Sequence, residues 1–198
     1  MKRLLGIVLI VLISLVATFG QQMISGVMYQ SMAWSPDERY IALTRMEIDP
    51  GKAQKMSADI YVVRADGTDL KKITGDDRND FEPAWSKDGK KIFFCGVTVD
   101  RKNAQIFSVN RDGTDLKQVT NEVEYSSSPV VSRDGKTIVF NTQSGENKHQ
   151  IAVMNVDGSN RKALTNDPTV HFYNPQLSAK VKRLSFMSSG ATTRIRYG

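Results

Sequence analysis

Short runs of β-branched and aromatic residues alternate with polar turns along most of the chain. Runs such as KIFF at 91–94, IFSV at 106–109 and TIVF at 137–140 are bounded by Gly, Asp, Asn or Lys. A helical repeat would need apolar residues at every third or fourth position, and these runs lack that period. The pattern predicts an all-β fold built from short strands.

The pattern recurs at a fixed period. Asp-Gly turns begin at Asp66, Asp112 and Asp157, which are 46 and 45 residues apart. Two further landmarks recur at a similar spacing, a Ser and an Ile: Ser35, Ser86, Ser132 and Ser178, and Ile60, Ile106, Ile151 and Ile195. Agreement among three landmarks indicates four units of about 45 residues.

Each unit has the same internal order. A segment ending in an apolar residue and Ser precedes a turn such as KDGK, an apolar run, a variable loop, a second apolar run, an Asp-Gly turn and a short last segment. Asp-Gly between apolar runs predicts a type I′ hairpin turn, because Gly adopts positive φ freely. In the first unit, Leu70 and Ile73 are expected to pack between strands. Trp34 and Trp85 hold equivalent positions and are expected to pack between units, with stacking on a ligand as the alternative.

Four strands in a unit of this length are typical of a β-propeller blade. The predicted fold class is all-β: a small β-propeller of about four four-stranded antiparallel blades, preceded by an N-terminal signal helix. The segments PAWSKDGKKIFF and IFSVNRDGTDLKQVT resemble the WD-like repeat of TolB-like β-propellers, and the resemblance covers about Met32 to Tyr197. The sequence of this chain departs from the family repeat at Glu38, where Gly is usual, and at SAKVKR in the fourth unit.

The resemblance implies a blade more specifically than a function. TolB-like propellers usually have six blades, and the same repeat occurs in the propellers of prolyl-oligopeptidase-type peptidases, whose catalytic triad lies on a separate domain. The fourth unit here has only three strand-like segments. We hypothesise that residues 21–28, QQMISGVM, supply the missing strand and close the ring, because an open sheet edge invites aggregation. The alternatives are pairing with a second chain, or a truncated gene product.

The first 20 residues have the layout of a secretory signal peptide. Lys2 and Arg3 precede an apolar stretch from Leu4 to Val16, and small residues near Gly20 offer a cleavage site. The domains predicted are therefore a signal peptide at 1–20 and a propeller at 21–198. The alternative is an uncleaved anchor formed by residues 4–19. Either interpretation predicts a periplasmic or secreted domain whose membrane contact is limited to the N-terminal segment.

Charge and residue types narrow the function further. The net charge is +6, but the chain has no basic run of five or more, so nucleic acid is not an expected partner. The single Cys95 is expected to be a small buried side chain, with a reactive thiol as the alternative. No catalytic signature is present, and His149 and His171 are too few for a histidine metal site. The acidic segment 76–82 lacks calcium-loop spacing, since Arg78 stands at its third position. We expect no catalysis, no cofactor and no metal.

Candidate binding residues follow from the predicted topology. The Ser-x-Asp-Gly and Asp-Gly-Thr hairpins fall on one face of the propeller, called here the hairpin face. The opposite, variable face carries loops that differ between units: 47–57, 75–83, 99–103, 121–129, 144–149 and 166–175. These loops collect aromatic side chains suited to protein recognition: Phe81, Tyr125, His171, Phe172 and Tyr173.

The role of these side chains has two interpretations. Phe81 and Tyr173 could instead pack between blades, whereas Tyr125, His171 and Phe172 are expected to be exposed. The predicted function is an exported, non-catalytic propeller that binds a protein or peptide partner in the cell envelope. The alternatives are a propeller-type envelope enzyme, or a carbohydrate- or metal-binding module using the channel mouth. A third hypothesis is an oligomerising unit whose residues 195–198 pair with another chain. The expected oligomeric state is therefore either a monomer, under the first hypothesis, or a strand-exchanged oligomer, under the third.

Overall fold

All regular structure in the described part of the protein is β-strand. The computed structural model describes residues 26–49, 55–98, 103–121, 124–144, 148–167, 169–177, 183–188 and 191–196. The strands are β1 Gly26–Trp34, β2 Tyr40–Asp49, β3 Lys55–Arg64, β4 Lys71–Lys72, β5 Asn79–Trp85, β6 Lys91–Val97, β7 Ala104–Asn110, β8 Lys117–Gln118, β9 Ser126–Val131, β10 Thr137–Ser144, β11 Lys148–Asn155, β12 Lys162–Ala163, β13 Phe172–Leu177, β14 Arg183–Ser188 and β15 Ala191–Arg196. Within these ranges no helix is long and apolar enough to cross a membrane.

The strands form four separate antiparallel sheets, one for each sequence repeat. Three sheets have four strands, in the orders β1-β2-β3-β4, β5-β6-β7-β8 and β9-β10-β11-β12. The fourth contains β13, β14 and β15. The predicted blades are therefore confirmed, including the three strands of the fourth unit.

The first sheet corrects the predicted role of the N-terminal strand. Gly26, Val27 and Met28 pair with Ile48, Glu47 and Met46 of β2. They extend the inner strand of the first sheet, so they are not the outer strand of the fourth. The remainder of the hypothesised closing strand, 21–25, and the predicted signal segment, 1–20, lie outside the described residues.

The fourth sheet corrects one landmark of the repeat. Ile195 pairs with Leu184, so it occupies the place of Val63 and Val109 in the earlier sheets rather than that of Ile60. Thr192, opposite Met187, takes the place of Ile60. The reason is a shorter hairpin, in which the last paired residues are Ser188 of β14 and Ala191 of β15. Because the loop is short, Ile195, which follows Ile151 by 44 residues, lies three positions beyond Thr192 on its strand.

In the first three sheets, hydrogen bonds from repeated side chains hold the first hairpin and the last strand in place. In the second sheet, Ser86 Oγ donates to Asp88 at 2.7 Å and accepts from Lys91 N at 2.9 Å. Thr120 Oγ1 accepts from the buried Ile106 N at 2.8 Å. The same contacts recur elsewhere, through Ser35 and Ser132 for the hairpin and through Thr74 and Thr165 for the strand. The repeated Ser, Asp and Thr are thus structural.

The Asp-Gly turns differ from the predicted type. Gly67 N donates to Arg64 O at 2.8 Å, and Gly67 has φ +84° whereas Asp66 has negative φ. Gly therefore closes a four-residue turn as its last member, the position of a G1 bulge, and a type I′ turn is not formed. Asp69, with φ +56°, then redirects the chain, which leaves Leu70 exposed while Ile73 is buried as expected.

The core lies between successive sheets. We call the face that packs on the preceding sheet the leading face, and the opposite one the trailing face. The second sheet's leading face packs on the first sheet's trailing face through two sets of side chains: Trp85, Ile92, Phe94, Phe107 and Val109 against Ala42, Ile60, Val62 and Ile73. The next two interfaces repeat this arrangement, with Ile138, Phe140 and Met154 against Phe93 and Ile106, and with Leu184 and Phe186 against Val139 and Ile151.

Candidate functional site on the variable face

The first strand of each sheet lines the centre of the assembly. Strand β1 packs beside β5, β5 beside β9, and β9 beside β13. The two hairpins of each of the first three sheets lie on one face, because Ala65 N donates to Arg39 O at 2.8 Å, Arg111 N to Lys90 O at 2.8 Å and Val156 N to Lys136 O at 3.1 Å. The predicted separation of hairpin face and variable face is therefore confirmed.

Every central strand contains one residue with left-handed backbone at the same place. The four are Ser31, Glu82, Ser128 and Asn174, with φ between 50° and 56°. Each lies where the pairing register shifts. Non-glycine residues adopt this conformation at a cost, so four copies indicate a built feature of the central wall.

Glu82 joins two of these central strands. Its carboxylate accepts from Ser128 N at 2.8 Å and from Ser128 Oγ at 3.1 Å. The contact ties the second sheet to the third at the level of the central wall. Two donors already hold the carboxylate, so its position is fixed before any ligand arrives.

A cleft of about 300 Å³ opens beside Glu82 on the variable face. Its lining combines apolar and polar side chains from the first three sheets: Met56, Asn79, Phe81, Glu82, Cys95, Val97, Tyr125 and Ser127. Two predicted binding residues, Phe81 and Tyr125, therefore meet in one cleft. Both are half-buried, so each presents part of its ring to solvent.

The protonation of the cleft is set by burial. Burial raises the pKa of Tyr125 to about 12, with smaller contributions from Cys95 and Glu82. Burial also raises the pKa of Cys95, whose Sγ approaches Ser126 O at 3.8 Å. Both groups are neutral at physiological pH. Cys95 is thus a buried thiol as expected, and its protonated state argues against the reactive alternative.

Two histidines extend the cleft towards the fourth sheet. The rings of Tyr125 and His149 meet edge to face at 6.4 Å, and those of His149 and His171 lie 5.7 Å apart. His171 Nδ1 also lies 3.4 Å from His149 N, and its Nε2 lies 3.4 Å from Lys148 Nζ. Burial and the neighbouring His171 lower the pKa of His149. The result is a half-buried row of three aromatic rings that ends beside the Lys148 side chain.

The remaining predicted residues lie in the fourth sheet. Phe172, expected to be exposed, is half-buried and packs edge to face on Phe186 at 5.4 Å. It belongs with the packing between the third and fourth sheets. Tyr173 is half-buried opposite Met187. The structure therefore brings Phe81, Tyr125 and His171 towards one surface and assigns Phe172 to packing.

The acidic segment at 76–82 is organised around an arginine. Arg78 pairs with Asp76, its Nε lies 3.6 Å from the enclosed Asp80, and its guanidinium lies 3.9 Å above the Phe107 ring. Among the described residues no three His, Cys, Asp or Glu side chains converge as metal ligands would. The segment braces the junction between the first two sheets.

Sequence reasoning missed Glu82 and His149 as members of this surface. Glu82 could have been found by aligning the units, because the residue four positions before the repeated Ser is Ser31, Glu82, Ser128 and Asn174. A polar residue that occurs at the same position of every unit predicts that these residues line one common surface at the centre of the assembly. His149 carries no comparable signal, because it lies in the variable segment 144–149 and one of its ring neighbours, His171, comes from the next unit.

Comparison with known proteins agrees with this architecture. Residues 10–195 match the family model described as the TolB beta propeller domain. The structure of a protein assigned as TolB from Agrobacterium tumefaciens is similar at a TM-score of 0.61, with 20% identity over 82% of this chain and 70% of that one. Puromycin hydrolase is similar at a TM-score of 0.68, with 12% identity over 85% of this chain.

A peptidase shares a shorter stretch of sequence. Dipeptidyl-peptidase 5 of Porphyromonas gingivalis is 36% identical over 63 residues, which are 32% of this chain and 9% of the peptidase. The match to puromycin hydrolase likewise covers only 29% of that chain. This chain thus corresponds to a small part of either enzyme. Since the family model spans nearly all of its sequence and four sheets follow the repeat, the chain belongs to the TolB β-propeller domain family.

Proposed function

We propose that the protein is an exported, non-catalytic β-propeller that binds a protein or peptide partner through its variable face. The observation that carries this proposal is the cleft beside Glu82, which joins apolar walls to a fixed carboxylate. Aromatic side chains with a polar end are enriched in the energetically dominant positions of protein interfaces. Tyr125 in the cleft has this character.

The shape of the surface favours a polypeptide over a small molecule. The cleft is continuous with the ring row of Tyr125, His149 and His171, which leads from the second and third sheets towards the fourth. A ligand that follows this row must be extended, and a loop or terminal segment of a protein meets that condition. Localisation in the cell envelope follows from the predicted signal segment and belongs to the same proposal.

The experiment compares two surfaces of the same protein. Tagged protein carrying Tyr125→Ala and His171→Ala is used to capture partners from the envelope of the producing cells, beside a control pair, Leu70→Ala and Leu116→Ala, on the hairpin face. Both control side chains are exposed. Phe172 is left intact because it packs on Phe186. Thermal melts check that both double variants remain folded.

We expect the wild type and the control pair to retain the same partner and the cleft pair to lose it at least tenfold. Tenfold corresponds to about 1.4 kcal/mol, a typical cost of truncating an important interface side chain. Equal capture by all three proteins would reject the variable face as the binding site.

The similarity to dipeptidyl-peptidase 5 supports a second candidate, a propeller-type envelope enzyme with hydrolase activity of its own. The discriminating measurement is hydrolysis of fluorogenic dipeptide substrates by the purified chain, together with labelling by a fluorophosphonate probe that reacts with active serines. Under the primary proposal, neither signal exceeds that of the heat-denatured protein. Stoichiometric labelling and turnover would favour the hydrolase.

A further inference from the structure

The leading face of the first sheet has no sheet packed on it among the described residues. Extensive packing between sheets runs from first to second, second to third and third to fourth, and none of comparable extent joins β1–β4 to β13–β15. Trp34 on this face is 59% exposed, and Val27 and Tyr29 are also exposed. The expectation that Trp34 packs between blades is therefore wrong within this chain.

The same face is fully used in the next sheet. Trp85, the counterpart of Trp34, is only 7% exposed, and its Nε1 donates to Ala33 O of the preceding sheet at 2.9 Å. The register makes the remaining counterparts explicit: Ile41, Leu43, Tyr61 and Val63 of the first sheet correspond to Ile92, Phe94, Phe107 and Val109 of the second. The first sheet thus carries apolar side chains at the same positions; Leu43 and Tyr61 are already buried, at 6% and 8% exposure, whereas Trp34 is open to solvent.

The charged groups beside this set are already paired within the first sheet. Arg45 pairs with Glu47 at 2.8 Å and donates to Tyr61 at 3.0 Å, and Lys72 pairs with Asp59 at 2.7 Å. Covering the face would therefore keep these four charged side chains in pairs, whereas an isolated charge is the usual obstacle to docking on a polar surface. The exposed side chains of Trp34, Tyr29 and Val27 lie on the same face as these pairs.

The fourth sheet presents the complementary surface. Its trailing face includes Tyr173, Gln176, Ser185 and Met187, which follow from the pairing of Tyr173 with Met187 and of Gln176 with Ser185. Met187 is 39% exposed. In the other three interfaces a trailing face of this kind receives a leading face, so the described residues leave one face of each type without a sheet packed on it.

We propose that the leading face of the first sheet docks on the trailing face of the fourth sheet of a second copy of this chain. Each leading face meets the trailing face of the other copy, so two copies form a closed two-fold ring with two equivalent contacts. The partner surface is inferred from the interfaces inside the chain, because in each of them a leading face packs on a trailing face. It differs from strand exchange, because whole sheet faces pack and no strand changes its sheet.

The first test is the mass of the full chain in solution by light scattering and sedimentation velocity across about 1–100 µM, the range where affinities of weak interfaces lie. We expect a concentration-dependent dimer. Trp34→Glu and, separately, Tyr29→Glu should weaken its dissociation constant at least tenfold. Leu116→Glu, a matched change on the hairpin face, should leave it unchanged. A monomer throughout, or equal effects of the three variants, would overturn the proposal.

The second test identifies the occupant. Chains carrying Trp34→Cys and chains carrying Met187→Cys are mixed and treated with a short bismaleimide, while the native Cys95 is buried. We expect cross-linked dimers in the mixture and none from either variant alone. Cross-linking of Trp34→Cys chains to one another would reject the contact between leading and trailing faces. In the double variant, a link formed within one chain would show that the protein closes on its own fourth sheet, and would equally contradict the proposal.

Discussion

Asp80 is predicted to destabilise the folded protein at neutral pH. Its side chain is fully enclosed at the junction of the first two sheets, and neither carboxylate oxygen has a well-placed hydrogen-bond donor. Burial raises the pKa of Asp80 to about 6, against opposing effects of the Thr74 hydroxyl and the Arg78 guanidinium. The folded state therefore favours the protonated acid.

The sign of the pH dependence follows from this shift. An unfolded aspartate titrates near 3.8, so between about pH 4 and 6 the folded state binds more protons than the unfolded state. The free energy of unfolding contributed by Asp80 should fall as pH rises through this window and level off above it. With about 1.4 kcal/mol for each pH unit between the two pKa values, the loss amounts to about 3 kcal/mol.

The variant Asp80→Asn removes the titration while keeping the shape of the side chain. We expect its stability to exceed that of the wild type by about 2–3 kcal/mol at pH 7, or roughly 4–12 °C in melting temperature, and to approach the wild type near pH 4. Guanidinium unfolding monitored by tryptophan fluorescence, repeated from pH 4 to 8, gives the difference curve. A constant offset between Asp80→Asn and the wild type across this range would refute the reasoning.

The control is a carboxylate with the opposite shift. Asp134 is exposed and accepts from Ser132 Oγ at 2.6 Å and Lys136 N at 3.0 Å, and these hydrogen bonds lower its pKa. Its contribution to stability is present above the unfolded pKa and is lost as pH falls. Asp134→Asn should thus be less stable than the wild type at neutral pH and should converge with it in acid.

Three further substitutions test the structural roles of repeat residues. Thr120→Val should cost about 1–3 kcal/mol in chemical denaturation, because the buried Ile106 N–H loses its acceptor, whereas Thr114→Val in an exposed turn should cost less. Gly89→Ala, at φ +67°, should lower stability by about 1–2 kcal/mol; an unchanged melt would refute the need for glycine there. Glu38→Gly, at the equivalent position with φ +58°, should raise stability by up to about 1 kcal/mol after the entropic cost of glycine, and a lowered melting temperature would count against this.

Local repetition made the blades predictable from sequence. Ser86, Asp88 and Thr120 occur with their counterparts at fixed spacings, and each makes a contact confined to its own sheet. Such short-range contacts depend on a few neighbouring residues, so a repeated pattern implies a repeated structure. The number of strands in the fourth unit followed for the same reason.

The errors concern features that depend on distant or subtle geometry. Asp66-Gly67 fits either hairpin type, and only the position of positive φ distinguishes them. The displaced Ile195 reflects a shorter loop whose length alters the register without changing the apolar pattern. The pairing of Gly26–Met28 with β2 depends on the length of β2, which the sequence marks weakly.

The candidate site was predictable only in part. Tyr125 and Phe81 could be placed on the variable face from the order of strands, and both line the cleft. The contact of Glu82 with Ser128 and of Tyr125 with His149 could not be predicted, because both depend on how neighbouring strands and sheets are placed against each other. The exposure of Trp34, although it matches Trp85 in sequence, depends on the absence of a preceding sheet among the described residues.

Site-specific photo-cross-linking in living cells tests the proposed binding surface most directly. A benzoylphenylalanine introduced at Tyr125, in the cleft, is compared with one at Leu116, exposed on the hairpin face. The account predicts a discrete cross-linked adduct with another protein from position 125 and none of that mass from position 116. The same adduct from both positions, or an adduct from position 116 alone, would contradict binding through the variable face.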